Sequence, residues 1–312
     1  LGHDERIINL LPLAFDYGLY QLLMTVRLGA TLVLEAGFGF PEVIRRRLRD
    51  EQVTVVPGVP TVFATLLAGD QTPYPSVRRV TNTAAALSPE LIPRLAALFP
   101  EALIYKMYGL TECKRVLYLE PEQLAIRPAS VGKAIPGTEV FLLSPDGEAV
   151  PAGESGILHV RGPHVMVGYW NKPEQTAQMI KPGRFPGDRV LCAQDWFKMD
   201  EEGYLYFLGR SDDIIKSRGE KVSPVEVENA LYGLTDVREA AVIGVDDPVL
   251  GQAIRAYVEL EAGSTLTAAD IRRHCQGCLE NYMVPAEVVI LAELPKTDTG
   301  KIRKKGLLEE QA

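Results

Sequence analysis

The sequence lacks the features that mark nucleic-acid-binding, membrane-spanning and disulfide-stapled proteins. Its 312 residues carry 33 Lys and Arg against 41 Asp and Glu, a net charge of −8, so no positive excess can neutralise a nucleic-acid backbone. No apolar run approaches the roughly 20 residues that span a bilayer, and the first residues are not a signal peptide. We expect a cytoplasmic protein with no nucleic-acid partner and no membrane span, and its oligomeric state stays open.

Cysteine is also scarce, with four residues at positions 113, 192, 275 and 278. They are too few and too scattered for a disulfide framework. Cys275 and Cys278, which follow His274, have the spacing of a redox or metal site. Residues 268–280, however, have the periodicity of an amphipathic helix after the N-cap candidate Thr267. We therefore interpret the two thiols as helix-packing residues.

The pattern of apolar residues and turns divides the chain into three stretches. Residues 1–125 alternate β-branched runs with helical periodicity, which predicts βαβ units and a parallel sheet. Residues 126–209 have short strands between frequent Gly and Pro turns, which predicts a β-rich, barrel-like subdomain. Helix and strand signals then resume. We expect an α/β fold with part of a large domain over 1–209 and a small α+β domain over 210–312.

Several elements are specific enough to place. A capping serine, Ser88, with Pro89 in the first turn, predicts a helix that continues to Leu98. The predicted helices lie at 41–50, 89–98 and 268–280, and the predicted strands lie at 30–34, 53–56 and 102–105. Helix and strand signals resume at 225–231, 240–245, 254–260 and 288–291.

Three segments carry residues suited to chemistry. The first, YKMYGLTE at 105–112, ends a strand with an aromatic ring, a glycine, a hydroxyl and a carboxylate. The second, at 203–219, packs opposite charges into a turn, and the third, PKTDTGKI at 295–302, presents Lys301 on an exposed tip. Each alone has an ordinary interpretation, as a strand-to-loop junction, a solvated loop or a surface lysine.

Together and in this order, the segments resemble the acyl-adenylate-forming superfamily. This superfamily includes acyl-CoA synthetases, aryl-CoA ligases, amino-acid adenylation domains and luciferases. Further matching stretches are SVGKAIPG at 130–137, GYWNKPE at 168–174 and YMVP at 282–285. The resemblance implies that a carboxylate attacks the α-phosphate of ATP to give acyl-AMP, after which the acyl group passes to a thiol. The implied cofactors are ATP, Mg²⁺, and coenzyme A or the phosphopantetheine of a carrier protein.

The resemblance also implies roles for individual residues. Lys301 would bridge the acid's carboxylate and the α-phosphate, Thr111 would contact the α-phosphate, and Glu112 would hold Mg²⁺. Tyr108 would stack on adenine, whereas Asp195 and Arg210 would bind the ribose. The implied nucleotide-binding residues are Ala84, Ala85, Met107, Tyr108, Gly109, Thr111, Asp195, Arg210 and Lys301.

The second half-reaction implies a mobile small domain. In this superfamily the domain swings about a hinge residue, here Asp212, which withdraws the lysine and presents a second loop. Lys216 and Gly219 lie in that loop, and Gly219 would line the entry for the phosphopantetheine arm.

The chain departs from the superfamily pattern at three places. The Gly/Ser/Thr-rich phosphate loop, expected shortly upstream of Leu1, is missing, so we expect that these 312 residues alone adenylate nothing. Ala-Gln-Asp at 193–195 stands where Thr-Gly-Asp is usual, which alters the turn before Asp195. Thr83 stands where glycine is common and narrows the implied substrate pocket, which Asp16, Thr83 and Ala84 would line.

The acid and the activity each leave alternatives. Asp16 stands where amino-acid-activating relatives pair an aspartate with the α-ammonium, but residues 220–228 and the acidic tail look more like acyl-CoA synthetases. Asp16 between Phe15 and Tyr17 is also a candidate helix cap. We favour acyl or aryl acids over amino acids. A catalytically incompetent fragment or partner domain is the alternative from another class, and nothing favours a luciferase-type oxidoreductase.

Overall fold

The computed structural model describes residues 1–297, 300–304 and 306–309. The helices are α1 (Asp16–Leu28), α2 (Pro41–Asp50), α3 (Pro60–Leu67), α4 (Leu91–Leu98), α5 (Pro173–Met179), α6 (Pro224–Tyr232), α7 (Ala268–Cys278) and α8 (Gly306–Glu309). The first strands are β1 (Arg6–Asn9), β2 (Thr31–Leu34), β3 (Val55–Gly58), β4 (Arg79–Asn82), β5 (Leu103–Leu110), β6 (Lys114–Leu119), β7 (Lys133–Ala134), β8 (Glu139–Leu143) and β9 (Ser155–Arg161). The later strands are β10 (Ile180–Pro182), β11 (Arg189–Met199), β12 (Leu205–Arg210), β13 (Ile215–Ser217), β14 (Glu220–Val222), β15 (Val237–Asp247), β16 (Gly251–Leu260) and β17 (Glu287–Leu291). The predicted α/β class is confirmed.

The chain divides into two compact units. Unit 1 comprises Leu1–Tyr105 and Ile215–Ala312, and unit 2 comprises Lys106–Ile214. The predicted arrangement of a large domain over 1–209 and a small mobile domain over 210–312 stays a prediction. Among the described residues, no helix is both long and apolar enough to cross a membrane.

Unit 1 begins with a parallel sheet in the order β2-β1-β3-β4. Buried apolar side chains of β1 and β3, such as Ile8 and Val56, form its centre, as expected of strands covered on both faces. The predicted strand at 53–56 begins later and continues through Pro57 and Gly58, because both residues pair in register with β4. The sheet brings the carboxyl ends of four strands to one edge.

The predicted helices are confirmed, with a later start for α4 and an end at Cys278, two residues earlier than predicted, for α7. The helix α2 has the predicted bounds, and Thr267 caps α7 in a reciprocal capping box with Asp270. The helix α4 begins at Leu91 rather than at Pro89. The hydroxyl of Ser88 accepts a hydrogen bond from Glu90 N at 3.4 Å, which closes a turn before the helix instead of capping its first residue.

The C-terminal part of unit 1 has its own sheet and core. Its strands follow the order β14-β13-β16-β15, and β17 adds parallel to β16. The helices α6 and α7 pack on this sheet around Val227, Leu231 and Ile271. Cys275 is buried in the same core, whereas Cys278 is exposed, and both are free thiols. The interpretation as a helix-packing residue is therefore confirmed for Cys275 and wrong for Cys278.

Unit 2 is dominated by antiparallel strands. β5 pairs with β6 and β6 with β7, while β10-β11-β9-β8 form a second sheet in which β12 pairs with β11. Its core includes Val116, Leu158 and Phe197. Residues 126–209 therefore consist mainly of strands, with the short helix α5 among them, while their bounds as a subdomain stay a prediction.

Candidate active site

The predicted site residues fall into both units. Unit 2 holds Met107, Tyr108, Gly109, Thr111, Glu112, Asp195, Arg210 and Asp212. Unit 1 holds Asp16, Thr83, Ala84, Ala85, Lys216, Gly219 and Lys301.

A buried tyrosine–aspartate pair is the centre of the unit 2 residues. The Tyr108 hydroxyl, on β5, donates to Asp195 Oδ2 on β11 at 2.5 Å. Asp195 is 5% exposed, and burial raises its pKa to about 6 even though the bond from Tyr108 and the charge of Arg210 act in the opposite direction. Burial also holds the pKa of Tyr108 well above its usual value, so the phenol remains a donor.

Aromatic packing fixes the Tyr108 ring. Its centroid lies 4.8 Å from that of Phe197 in an edge-to-face contact and 6.1 Å from that of Phe207. Met107, the neighbouring predicted residue, is buried and lies on the opposite face of β5, because strand side chains alternate. A nucleotide contact at Met107 would therefore use its backbone.

A β-bulge places Asp195. The register between β11 and β9 shifts between Cys192 and Trp196, and Gln194 within this bulge has a φ of 57°. The Gln194 carbonyl accepts from Ser211 N at 2.8 Å, which ties the bulge to the end of β12. The altered Ala-Gln-Asp turn thus keeps the left-handed backbone that glycine would favour.

Gly109 serves the hairpin from β5 to β6. The register shifts between Tyr108 and Gly109, and a Cβ at Gly109 would overlap the Lys114 carbonyl oxygen. The neighbouring strand itself therefore requires a glycine at this position.

Glu112 is held by a tyrosine that sequence reasoning did not single out. Thr111 is exposed and Glu112 half-buried at the tip of this hairpin. The Tyr169 hydroxyl donates to Glu112 Oε1, and burial followed by this carboxylate raises the pKa of Tyr169 to about 12. Met166 N also donates to the Glu112 carbonyl at 2.8 Å. Tyr169 lies in the matching stretch 168–174, but its role emerges only from the folded geometry.

Arg210 and Asp212 lie at the end of unit 2. Arg210 pairs in register with Asp195 across β12 and β11, and its Nε lies 3.3 Å from Asp212 Oδ1. Both side chains are exposed. Asp212 follows β12 in the loop before β13, but its hinge role stays a prediction.

The substrate-side residues of unit 1 lie at the carboxyl ends of parallel strands. Thr83 follows β4 and is buried, while Ala84 adopts a left-handed φ of 74° and Ala85 is exposed. The Tyr17 hydroxyl lies 2.5 Å from Thr81 Oγ1 and so ties the start of α1 to β4.

Asp16 is the first residue of α1 rather than its cap. The N-cap is Phe15, with no side-chain cap bond, so the interpretation of Asp16 as a helix cap is wrong. The carboxylate instead lies in the first turn, where the helix dipole favours negative charge.

Lys301 lies near the carboxyl ends of the parallel strands of unit 1. Its Nζ is 5.6 Å from the centroid of the Phe15 ring, and the residue is half-buried, not on an exposed tip as predicted. The carbonyl of Lys301 accepts from Thr297 N at 2.8 Å, and its N–H donates to Thr297 Oγ1 at 3.1 Å. Asp298 and Thr299 of the same motif lie outside the described residues.

Lys216 and Gly219 belong to a tight hairpin. Arg218 and Gly219, with φ values of 55° and 84°, form the two-residue turn between β13 and β14. Lys216 is exposed, and its N–H donates to Gln252 Oε1 at 2.8 Å. The thiol-channel roles of Lys216 and Gly219 stay predictions.

Comparisons with known proteins agree with these observations. The AMP-binding enzyme family matches residues 1–170, and the AMP-binding enzyme C-terminal domain matches residues 226–301. A feruloyl-CoA synthase from an Amycolatopsis species is 35% identical over 97% of this chain and 61% of that protein. A long-chain-fatty-acid–CoA ligase from Bacillus subtilis is 32% identical over 98% of this chain and 54% of that protein.

A solved structure of similar fold adds a ligand-bound relative. The anthranilate CoA ligase AuaEII in complex with anthranoyl-AMP has a TM-score of 0.91 to this chain at 29% identity, covering 99% of this chain and 60% of that one. This chain therefore spans 54–61% of the length of these relatives.

Proposed function

This chain belongs to the AMP-binding enzyme family, and on that premise we propose that it is part of an ATP-dependent ligase that joins a carboxylic acid to a thiol through an acyl-AMP. The observation that carries the proposal is the Tyr108–Asp195 pair. A carboxylate that is 5% exposed and bound to a neutral phenol can accept further hydrogen bonds, and ribose hydroxyls would supply them. Arg210, in register with Asp195, would add a contact from the neighbouring strand.

Lys301 and Thr111 would act on the reacting groups. A carboxylate and a triphosphate repel each other, so the enzyme must supply positive charge and hold both groups in line. Lys301 would bridge the acid's carboxylate and the α-phosphate. The hydroxyl of the exposed Thr111 would donate a hydrogen bond to the same phosphate. Ala84, Ala85 and Gly109 would offer backbone contacts to the nucleotide.

Glu112 fits a magnesium ion held together with phosphates. Mg²⁺ prefers oxygen ligands and is commonly bound by one or two carboxylates plus substrate phosphates. The described residues hold no cluster of three or more acidic, His or Cys side chains that could bind a metal without a substrate. When bound, the ion would neutralise phosphate charge, while Tyr169 would keep the Glu112 carboxylate oriented.

The acyl acceptor in this proposal is coenzyme A, with a phosphopantetheine carrier as the alternative. The relatives named above are CoA ligases. Asp212 would be the hinge, and the hairpin with Lys216 and Gly219 would line the path of the thiol.

The acid in this proposal is an acyl or aryl acid bound near Asp16, Thr83 and Ala84. The feruloyl-CoA and long-chain-fatty-acid–CoA relatives support this class. An amino acid is the second candidate, because Asp16 provides a carboxylate in the first turn of α1. The preceding residue, Phe15, has its ring centroid 5.6 Å from the Lys301 ammonium.

Acid-dependent pyrophosphate release by the complete gene product, with fatty, aryl and amino acids, tests the proposal. We expect release with at least one acid, and a loss of roughly a hundredfold or more in Asp195→Ala, which removes the ribose contacts. The exposed Asp146→Ala is the matched control. No pyrophosphate release with any acid would contradict the proposed ligase activity and favour the alternative of a non-catalytic partner domain.

Asp16→Ala separates the two substrate classes. Loss of amino-acid activity alone would establish an ammonium partner, whereas equal activity of the variant on every acid would remove that role. The isolated 312 residues, assayed in parallel, are expected to release no pyrophosphate.

A further inference from the structure

A threonine at the carboxyl edge of the parallel sheet holds the loop that carries Lys301. Thr61 lies in the first turn of α3, directly after β3, and is 6% exposed. Its hydroxyl donates to the Gly300 carbonyl at 2.5 Å, across 239 residues of sequence. The acceptor belongs to the residue immediately before Lys301, so the bond acts on the backbone that directs the lysine.

Gly300 is shaped to this contact. Its φ is +79°, and a Cβ there would lie 2.5 Å from Phe38 Cζ and 2.9 Å from Thr61 Oγ1. Any other residue would therefore have a strained backbone and would push the loop away from Thr61. The contact between the loop and Thr61 therefore requires glycine at position 300.

The neighbouring contacts come from the ends of three strands. Phe15 follows β1 and lies under the Lys301 ammonium, Phe38 follows β2 and packs at Gly300, and Thr61 follows β3. Thr61 provides a directional hydrogen bond, whereas the two phenylalanines provide nonpolar packing contacts. A buried carbonyl that loses its donor is destabilised, so removal of the hydroxyl favours departure of the loop from the edge.

We propose that Thr61 is a positioning residue that holds Lys301 in its carboxylate-activating place. This role rests on the proposed function, because it assumes that Lys301 acts in acyl-AMP formation. Thr61 touches neither the acid nor the nucleotide in this proposal. It selects the arrangement in which the lysine can reach them, and it has no part in the thiol step, for which the lysine is withdrawn.

The chain offers matched variants. Thr61→Val keeps the shape but has no donor, and Thr61→Ser keeps the hydroxyl. Thr65 lies one turn later on α3, and its hydroxyl donates to the Thr61 carbonyl at 2.8 Å within the helix. Thr65→Val therefore removes a threonine hydroxyl of the same helix without touching the loop.

The first experiment measures acetylation of lysines in the 312-residue protein by mass spectrometry. We expect Lys301 to label roughly threefold to tenfold faster in Thr61→Val, the change expected for loss of one hydrogen bond. Thr61→Ser and Thr65→Val should label as the wild type does. Exposed Lys216 calibrates the reagent, and Lys304, 2.7 Å from Glu228, reports unfolding of the C-terminal part.

Two labelling results would overturn the proposal. An unchanged Lys301 rate in Thr61→Val would show that the bond does not hold the loop. A parallel rise at Lys304 would show general unfolding in place of loop release.

The second experiment separates the half-reactions in the complete gene product. Thr61→Val should slow acid-dependent pyrophosphate release roughly tenfold, leave thiolysis of a supplied acyl-adenylate unchanged, and be rescued by Thr61→Ser. Equal loss in both half-reactions would contradict the positioning role. If the wild type releases no pyrophosphate with any acid, the proposed function fails, while the labelling result still decides whether Thr61 holds the loop.

Discussion

In unit 1 the buried carboxylates lie beside cations, whereas in unit 2 the buried Lys106 and Asp195 form their hydrogen bonds with neutral groups. Glu5, 3% exposed, lies 2.5 Å from Arg79 Nη1 and 3.0 Å from Arg78 Nη2. Glu259, 2% exposed, lies 3.0 Å from Arg238 Nη1 and accepts from Leu294 N. These carboxylates are compensated where they are buried.

The groups of unit 2 are not compensated in this way. The Lys106 ammonium, on a residue 3% exposed, donates to the backbone carbonyl of Pro128, and burial lowers its pKa to about 7. Asp195 is bound by the phenol of Tyr108, and burial raises its pKa to about 6.

The comparison distinguishes buried charges that are neutralised within the fold from buried charges that a bound ligand could neutralise. A cation beside a buried carboxylate offsets its desolvation, whereas a buried charge whose hydrogen-bond partners are all neutral moves toward its neutral form and lowers stability. Asp195 belongs to the proposed nucleotide site, where a ligand would supply the missing donors. Lys106 has no place in the proposed reaction, and its burial is a cost to stability alone.

Lys106→Met is expected to give the largest effect. The folded pKa of about 7 lies below the ordinary 10.5, so between these values the unfolded chain binds more protons and wild-type stability rises with pH. The full cost of the ammonium is present below pH 7. We expect the variant to raise the free energy of unfolding by about 3 kcal/mol at pH 6 and by under about 1 kcal/mol at pH 10 in urea titrations.

The exposed Lys172→Met is the control for that comparison, with an expected change within about 0.5 kcal/mol at both pH values. A Lys106→Met gain that is independent of pH would mean that packing, and not charge, is responsible.

Glu5→Gln tests the compensated side. The neutral amide removes the ion pairs of Glu5 with Arg78 and Arg79. It is also a weaker acceptor for the hydrogen bond that the Thr54 hydroxyl donates to this side chain. We expect a loss of about 2 to 3 kcal/mol in the free energy of unfolding at pH 7. Glu51→Gln, which breaks a half-exposed pair with Arg6, should cost less than about 1 kcal/mol. Equal losses would erase the distinction.

Asp195→Asn tests the uncompensated carboxylate. Its folded pKa of about 6 lies above the ordinary 3.8, so between these values the folded protein binds more protons and wild-type stability falls as pH rises. The amide can still accept from Tyr108. We expect a gain of about 2 kcal/mol at pH 8 that disappears at pH 4, measured by urea denaturation against the exposed Asp146→Asn. A loss at pH 8 would show that the carboxylate is satisfied within the fold.

The smallest expected effect compares one left-handed residue in each unit. Gln194 and Arg218 have φ values of 57° and 55°, a region that glycine adopts without strain. We expect Gln194→Gly and Arg218→Gly each to add about 0.5 kcal/mol to thermal or urea stability, after the entropic cost of glycine. Glu154→Gly, at a residue without positive φ, should instead destabilise, and destabilisation in all three variants would show that the two turns are not strained.

Local signals predicted α2, α4, α7 and several strands, whereas they indicated neither β1 and β4 nor α3. The reciprocal cap at Thr267 and the proline start of α2 involve only neighbouring residues, so sequence determines them. The helix after Ser88 began later than predicted because local turn bonds competed with the cap. Tyr169 and Thr61 could not be found in this way, because their partners lie 57 and 239 residues away.

Of the candidate site, the sequence determined which residues are present and in what order. Motif order identified the family and singled out Thr83, and the predicted end of a strand within 105–112 placed Thr111 in a loop. Only the tertiary structure decided that Asp195 is buried against Tyr108 and that Lys301 is half-buried beside Phe15. Burial and long-range pairing set the charge state of Asp195 and the place of Lys301, and both depend on residues far apart in the chain.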